Sequence, residues 1–253
     1  MSDFRFIDCN CMIGKRTSLP CFGPQDTAQI KSILVGNGIK RALVYHSLSI
    51  EYHPIEGNSM LLKEISGDDF FIPVWTVMPN HTGEFLMCED LKHEIARNGI
   101  KALRLAPSAG QLNYSISEWS MGEIYKLVQE LGLPLMIDSD QIGWDELYGL
   151  LNRYPGINVI LTKVGYRSAR YLYPMMDKCK NLFMDISMYK NHMGIEHLCR
   201  KFGSRRLLYG TAMPIFSPGS AKALILNADI AIEDKRNIAG NNILRLIGEV
   251  VEI

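Results

Sequence analysis

The sequence predicts an α/β fold, a single-domain (β/α)8 TIM barrel over residues 1–253, and three observations carry that prediction. Eight short apolar runs, rich in branched and aromatic residues, recur along the chain. Amphipathic helical patterns fill most of the gaps between them. Three of those patterns end in glycine and an apolar residue just before the next strand, as in "GNGIKRALVY", "RNGIKALRL" and "ELGLPLMI". Glycine supplies a left-handed cap there, and the apolar residue packs back onto the sheet. The alternation is a βα array, and eight such units close a barrel of this length. An open doubly wound sheet is the runner-up, and no G-x-G-x-x-G follows the first strand to favour it.

Each element can be justified in turn. "FRFIDCN" (4–10) opens the barrel, followed by "DTAQIKSILVGNGI", with Asp26 or Thr27 as cap and apolar spacing at Ile30, Ile33 and Leu34. "RALVYHS" (41–47) and "FFIPVWTVMP" (70–79) are the second and third strands. "CEDLKHEIARNGI" leads to "IKALRLAP" (100–107), and "SMGEIYKLVQELGL" to "LPLMIDS" (133–139). "WDELYGLLNRYPGI" precedes "INVILTKVG" (157–165), "YLYPMMDKCKN" precedes "NLFMDIS" (181–187), and "GIEHLCRKFGS" precedes "RLLYGTAMP" (206–214). "IEDKRNIAGNNILRLIG" closes the chain as a helix. Most of the strands show continuous apolar character, as expected when both faces are covered. The longest irregular stretches, 14–25, 46–58, 106–119 and 211–221, mostly follow strands, on the face where barrel sites are built.

Composition narrows the function classes. The 27 basic and 27 acidic side chains give zero formal charge and a pI near 7.0. That argues against binding to nucleic acid or anionic membrane driven by net charge. No apolar run approaches the ~20 residues of a membrane span. Six cysteines (Cys9, Cys11, Cys21, Cys88, Cys179 and Cys199) form no C-x-x-C pair, and no signal segment precedes the first strand. These features predict a reduced, cytoplasmic protein with buried thiols. Strand alternation is expected to point Cys9 and Cys11 away from the barrel interior.

Polar side chains interrupt the apolar strands near their C-terminal ends: Asp8 and Asn10, His46, Arg104, Asp138, Lys163, Asp185 and Thr211. A buried charge is costly unless paired, so several of these residues are expected to share one polar pocket. Blander readings compete. His46 can be a structural hydrogen bonder, Arg104 can cap carbonyls, and Asp185 in "DIS" can hold a local side-chain-to-backbone turn. Asp138 and Lys163 end consecutive strands and are expected to form an ion pair.

In their order these segments resemble the amidohydrolase superfamily, in its amidohydrolase-related branch of metal-dependent hydrolases and decarboxylases. "FIDCNCMIG" is similar to that branch's D-x-H-x-H-x-G strand, "GIKALRL" to G-[IF]-[KR]-G-[IL]-[RK]-L, and "YPGINVILTKVG" to a strand ending in His-Gly-Gly. "RRLLYGTAMP" resembles a strand carrying Gly-Ser-Asp. The resemblance places Asn10, Met12, Asp138, Lys163 and Ala212 where the family has metal ligands, and none keeps the family's residue type. Lys163 would repel a cation, Ala212 offers no lone pair, and a thioether is a poor zinc ligand. The resemblance therefore implies a barrel with no metal or other cofactor.

Two functions follow as expectations. One is a metal-independent hydrolase or lyase acting on a small carboxylated or carbonyl substrate. In it Lys163, Asp138 and Asp185 are the catalytic groups, and Asn10, His46, Arg104 and Thr211 bind substrate. Lys163 would serve as general base or imine-forming nucleophile if burial depressed its pKa. The other is an inactive pseudoenzyme that keeps the barrel as a ligand-binding or interaction module. The expected partner is a small molecule, with no nucleic acid and no membrane. The resemblance adds a homodimer through the outer helices.

Overall fold

A computed structural model describes residues 4–17 and 26–249. Its strands are β1 (Phe6–Ile13), β2 (Ile39–His46), β3 (Phe71–Thr76), β4 (Ala102–Arg104), β5 (Leu135–Asp138), β6 (Val159–Thr162), β7 (Leu182–Asp185) and β8 (Leu207–Leu208). All neighbours pair in parallel, in sequence order from β1 to β8. The ends of that row meet. The Cys9 amide donates to the Tyr209 carbonyl at 2.9 Å, the Met12 amide to Met213 at 2.9 Å, and the Ala212 amide to Asn10 at 2.9 Å. The predicted (β/α)8 barrel is therefore the observed fold. Cys21, and the 18–25 part of the expected 14–25 loop, lie outside the described residues.

The helices are α1 (Thr27–Gly36), α2 (Leu48–Glu51), α3 (Pro54–Glu64), α4 (Cys88–Arg97), α5 (Glu118–Leu131), α6 (Trp144–Arg153), α7 (Ala169–Lys178), α8 (Gly194–Phe202), α9 (Pro218–Asn227), α10 (Ile232–Arg236) and α11 (Asn242–Leu246). Asp26 caps α1 by accepting the Gln29 amide at 2.8 Å. The three glycines expected to end helices, Gly38, Gly99 and Gly132, all have left-handed φ, at +75°, +61° and +65°. Three helices lie where irregular chain was expected, and α2 falls wholly inside 46–58. α3 begins inside 46–58, with His53 as cap and Pro54 in its first turn. Its polar, glycine-containing sequence hides it, yet Gly57 is what lets it lie on α2. A Cβ at Gly57 would come 2.1 Å from the Ser49 amide nitrogen. α9 begins inside 211–221, again with proline in its first turn.

Two buried layers result. The outer layer joins helix residues such as Ile30, Leu34, Leu61 and Leu91 to outward strand residues such as Cys11 and Ile13. The inner layer holds Ile7, Cys9, Met12, Leu43, Tyr45, Ile72, Val74, Met136, Ile160 and Leu208, closed at one end by Ile243, Leu244 and Ile247. Cys9 thus faces the interior, against the expectation from alternation, while Cys11 faces the helices as expected. The reason is a register shift in β1 between Asp8 and Cys11 against β2. An extra residue there breaks the period of two.

Candidate active site at the C-terminal mouth of the barrel

The strand ends bring Arg104, Asp138 and Lys163 together. Asp138, the last residue of β5, is 2% exposed. Its Oδ1 accepts from Arg104 Nη2 and from Thr162 Oγ1, and its Oδ2 lies 2.7 Å from Lys163 Nζ. Gln141 Nε2 approaches Oδ2 at 3.4 Å and also donates to Gln111 Oε1 at 2.8 Å. Lys163 reaches Asp138 because its backbone is left-handed, with φ +54°. That conformation costs a non-glycine residue about 1 kcal/mol. Its side chain is 25% exposed, and Asp140 stands 3.9 Å from the amine on the solvent side.

Arg104 is fully buried, with its guanidinium 4.2 Å above the Tyr45 ring. Cation–π contact and one carboxylate satisfy part of it. Among the described residues, its Nε and Nη1 have no hydrogen-bond partner. Burial alone would raise the Asp138 pKa, but the Arg104 and Lys163 charges outweigh it and hold the carboxyl down at about 2.

A second polar cluster sits between β1, β7 and β8. Asp8 Oδ1 accepts the Asn10 amide at 3.0 Å and the Thr211 amide at 2.8 Å, and its Oδ2 accepts Thr211 Oγ1. Thr211 Oγ1 also accepts the Met213 amide at 3.0 Å. Asp185 accepts from the Ser187 amide at 2.8 Å, from Ser187 Oγ at 2.7 Å and from Asn10 Nδ2 at 3.0 Å. Gly210 makes room for it, since a Cβ there would lie 2.3 Å from Asp185 Oδ1. Burial pushes Asp8 up to about 7, against the Thr211 and Asn10 hydrogen bonds. Burial likewise raises Asp185, despite Ser187 and Asn10. No hydrogen bond among the described residues joins this cluster to Asp138.

The structure therefore unites Arg104, Asp138 and Lys163, and separately links Asn10 with Asp185 and Thr211 with Asp8. Asp185 and Thr211 hold loops here, through the turn that "DIS" predicts and through a clamp on Asp8. His46 joins neither cluster. Its Nδ1 accepts the Leu48 amide at 3.1 Å, and its Nε2 lies 3.6 Å from Glu64 on α3. The inward position at the end of β2 belongs to Tyr45, which counting by two from Leu43 identifies. Sequence reading also missed Thr162 and Gln141. Thr162 is signalled by its pairing opposite Asp138, whereas Gln141 carries no sequence signal.

With this geometry in hand, a family model described as Amidohydrolase matches residues 58–248, well over half the chain. The chain belongs to the amidohydrolase family. The amidohydrolase barrel is similar to 5-carboxyvanillate decarboxylase LigW from Sphingomonas paucimobilis, at 12% identity and TM-score 0.76, covering 98% of this chain and 100% of that one. It is similar to 2,6-dihydroxybenzoate decarboxylase from Rhizobium, at 14% and 0.73, covering 96% and 98%. A third similar structure is the dihydroxybenzoic acid decarboxylase of Polaromonas sp. JS666, with bound manganese and the inhibitor 2-nitroresorcinol, at 14% and 0.69, covering 96% and 97%. At such identities the likeness shows the fold alone. No curated protein matches the chain. Among the described residues, no helix is long and apolar enough to cross a membrane.

The five positions that the resemblance sets against metal ligands make the following contacts in this amidohydrolase barrel. Asn10 Nδ2 donates to Asp185, and Met12 is packed in the inner layer. Both Asp138 oxygens face cations. Ala212, at φ +54°, donates its amide to Asn10.

Proposed function

We propose that this amidohydrolase-family barrel binds a small carboxylated molecule at its C-terminal mouth and acts on it as a lyase or hydrolase, without a divalent metal. The observation that carries this reading is the placement of two cations, Arg104 and Lys163, on one carboxylate, Asp138. Burial raises the pKa of both Asp8 and Asp185, which favours their neutral forms and lessens the negative charge around Arg104 and Lys163. Lys163 is the member of the charged trio that reaches solvent. An ammonium and a guanidinium form strong, charge-assisted hydrogen bonds to carboxylates. The similar solved structures include decarboxylases of carboxylated aromatics, which makes that substrate class the first to test.

A divalent metal does not fit these positions. A catalytic zinc needs about three lone-pair donors and an open site. Here Asn10 presents its amide N–H to Asp185 and Asp138 is shared by two cations. Among the described residues there is no group of three or more His, Cys, Asp and Glu side chains that could hold a metal. Lys163 supplies the fixed positive charge that would stabilise an anion developing on the substrate. Imine chemistry gains little support, because the Lys163 amine is engaged by Asp138 at 2.7 Å. The Arg104 and Lys163 charges also hold the Asp138 carboxyl down at about 2, which makes it a weak base.

The experiment is calorimetric titration of the purified protein with 2,6-dihydroxybenzoate and 5-carboxyvanillate, alongside assays of carbon dioxide release and elemental analysis. Expected are substoichiometric metal and binding that Lys163→Met weakens by about tenfold or more. About one equivalent of tightly held metal per chain would overturn the reading.

The second reading is a barrel that binds such a ligand without turning it over. The saturated hydrogen bonding of Asp185 and the pairing of Lys163 favour it. Binding without product release at any pH would select it. A homodimer through the outer helices belongs to the same proposal and is read by light scattering.

A further inference from the structure

At the end of the barrel opposite Asp138 lies a second cleft of about 500 Å³. Its walls come from the segments that lead into β5, β6 and β8, together with Phe183 of β7 and the end of α11. Three arginines line it, Arg205, Arg206 and Arg245, and none of the described residues lining it is acidic. Two of the three are fixed by the fold. Arg206 Nη1 donates to the carbonyl oxygens of Met176 and Cys179 at 2.7 and 2.9 Å. Arg245 Nη2 donates to Asn237 Oδ1 at 3.3 Å and to Asn242 Oδ1. Asn242 is itself anchored, donating to the Ser204 and Leu207 carbonyls at 2.8 Å each.

Each anchored guanidinium is thus gripped by one nitrogen, and its other N–H groups have no hydrogen-bond partner among the described residues, although Arg206 also lies 5.8 Å from the centre of the Phe202 ring. Arg205 is exposed and unpaired among them. Burial lowers the Arg245 pKa, and the like charge of Arg205 lowers it further. Glu233 opposes this from outside the cleft and already lies 3.8 Å from Arg236, while Asp177, also outside the lining, acts on Arg206. Three guanidinium groups gathered without a carboxylate repel one another, and an anion between them relieves the repulsion. The floor beside them is apolar, formed by residues such as Leu133, Phe183 and Ile247.

We propose that this cleft binds a phosphorylated small molecule, with the phosphoryl group on Arg205, Arg206 and Arg245 and the organic body on the apolar floor. The planar guanidinium fork matches phosphate oxygens two at a time. The volume falls within the roughly 300–1,000 Å³ of small-molecule sites. The site is separate from the mouth and does not depend on what is bound or transformed there.

The test is calorimetric titration of the full chain with AMP, inorganic pyrophosphate and adenosine. AMP and pyrophosphate are expected to bind, with affinity that falls as salt rises, and adenosine is not. Arg205→Ala, an exposed change, is expected to weaken AMP about ten- to a hundredfold while leaving the melting temperature without ligand unchanged. Arg245→Lys, which keeps a charge but loses the fork, is expected to weaken it as well. The proposal is overturned if neither AMP nor pyrophosphate binds at millimolar concentration. It is also overturned if their binding survives Arg205→Ala and is instead abolished by Lys163→Met, which would place the anion at the mouth.

Discussion

Asp138 and Asp8 are two buried carboxylates in one barrel whose environments push them in opposite directions, and each sets a testable pH dependence. Arg104 and Lys163 hold Asp138 at about 2, below the ordinary 3.8. Its contribution to stability is therefore present above pH 3.8 and is lost as pH falls towards 2. Asp8 is raised from 3.8 to about 7, so the folded state holds its proton more tightly than the unfolded chain. Its contribution is complete below pH 3.8 and is lost as pH rises through 7, on the order of 4 kcal/mol in total. Urea unfolding from pH 4 to 8 is expected to show declining stability, and Asp8→Asn is expected to flatten that decline. Arg104→Met leaves Asp138 buried with one cation fewer, and is expected to cost roughly 3 kcal/mol. Pairing it with Asp138→Leu is expected to recover much of that loss, because the remaining buried charge is then gone.

Among the elements, α3 shows how packing overrides local pattern. A glycine inside a helix normally weakens it by ~1 kcal/mol relative to alanine. At Gly57 the Ser49 backbone leaves no room for a Cβ, so Gly57→Ala is expected to destabilise by about 1–3 kcal/mol. At Gly149 of α6 nothing lies within 4 Å of such an atom, and Gly149→Ala is expected to stabilise by roughly 0.5–1 kcal/mol. Chemical denaturation of the two variants separates contact from propensity. Strand β1 carries a comparable lesson. Its register shift turns Cys9 inward and leaves Cys11 outward. Hydrogen exchange is expected to protect the amides of Cys9 and Met12, which close the barrel onto Tyr209 and Met213.

For the whole molecule, the two ends of the barrel offer positive charge to different ligands. The mouth sets its cations against buried Asp138 and exposed Asp140, whereas no described residue lining the opposite cleft with its three arginines is acidic. Lys163→Met is expected to weaken carboxylated aromatics and spare AMP, and Arg205→Ala is expected to do the reverse. Calorimetry on both variants with both probes reads this directly. The five described cysteines are free, three of them buried. Slow labelling of Cys9, Cys11 and Cys179 in the native protein, and fast labelling in urea, is the expected result.

The fold was legible because each βα unit carries its own local signals. Apolar strands, amphipathic helices and the glycines at 38, 99 and 132 need no distant partner to be read. The pairing of Asp138 with Lys163 was legible too, since consecutive strands in a parallel barrel are neighbours. What only tertiary structure decided were contacts between segments far apart in sequence. Asn10 was committed to Asp185, Thr211 to Asp8 and Arg104 to the face of Tyr45. His46 was turned away from the mouth and α3 was seated on Gly57. A single residue of slip in β1 reversed one side chain that strict alternation had placed. Local sequence sets which elements form, but a side chain's partner depends on register and closure around the whole barrel, which no short segment encodes.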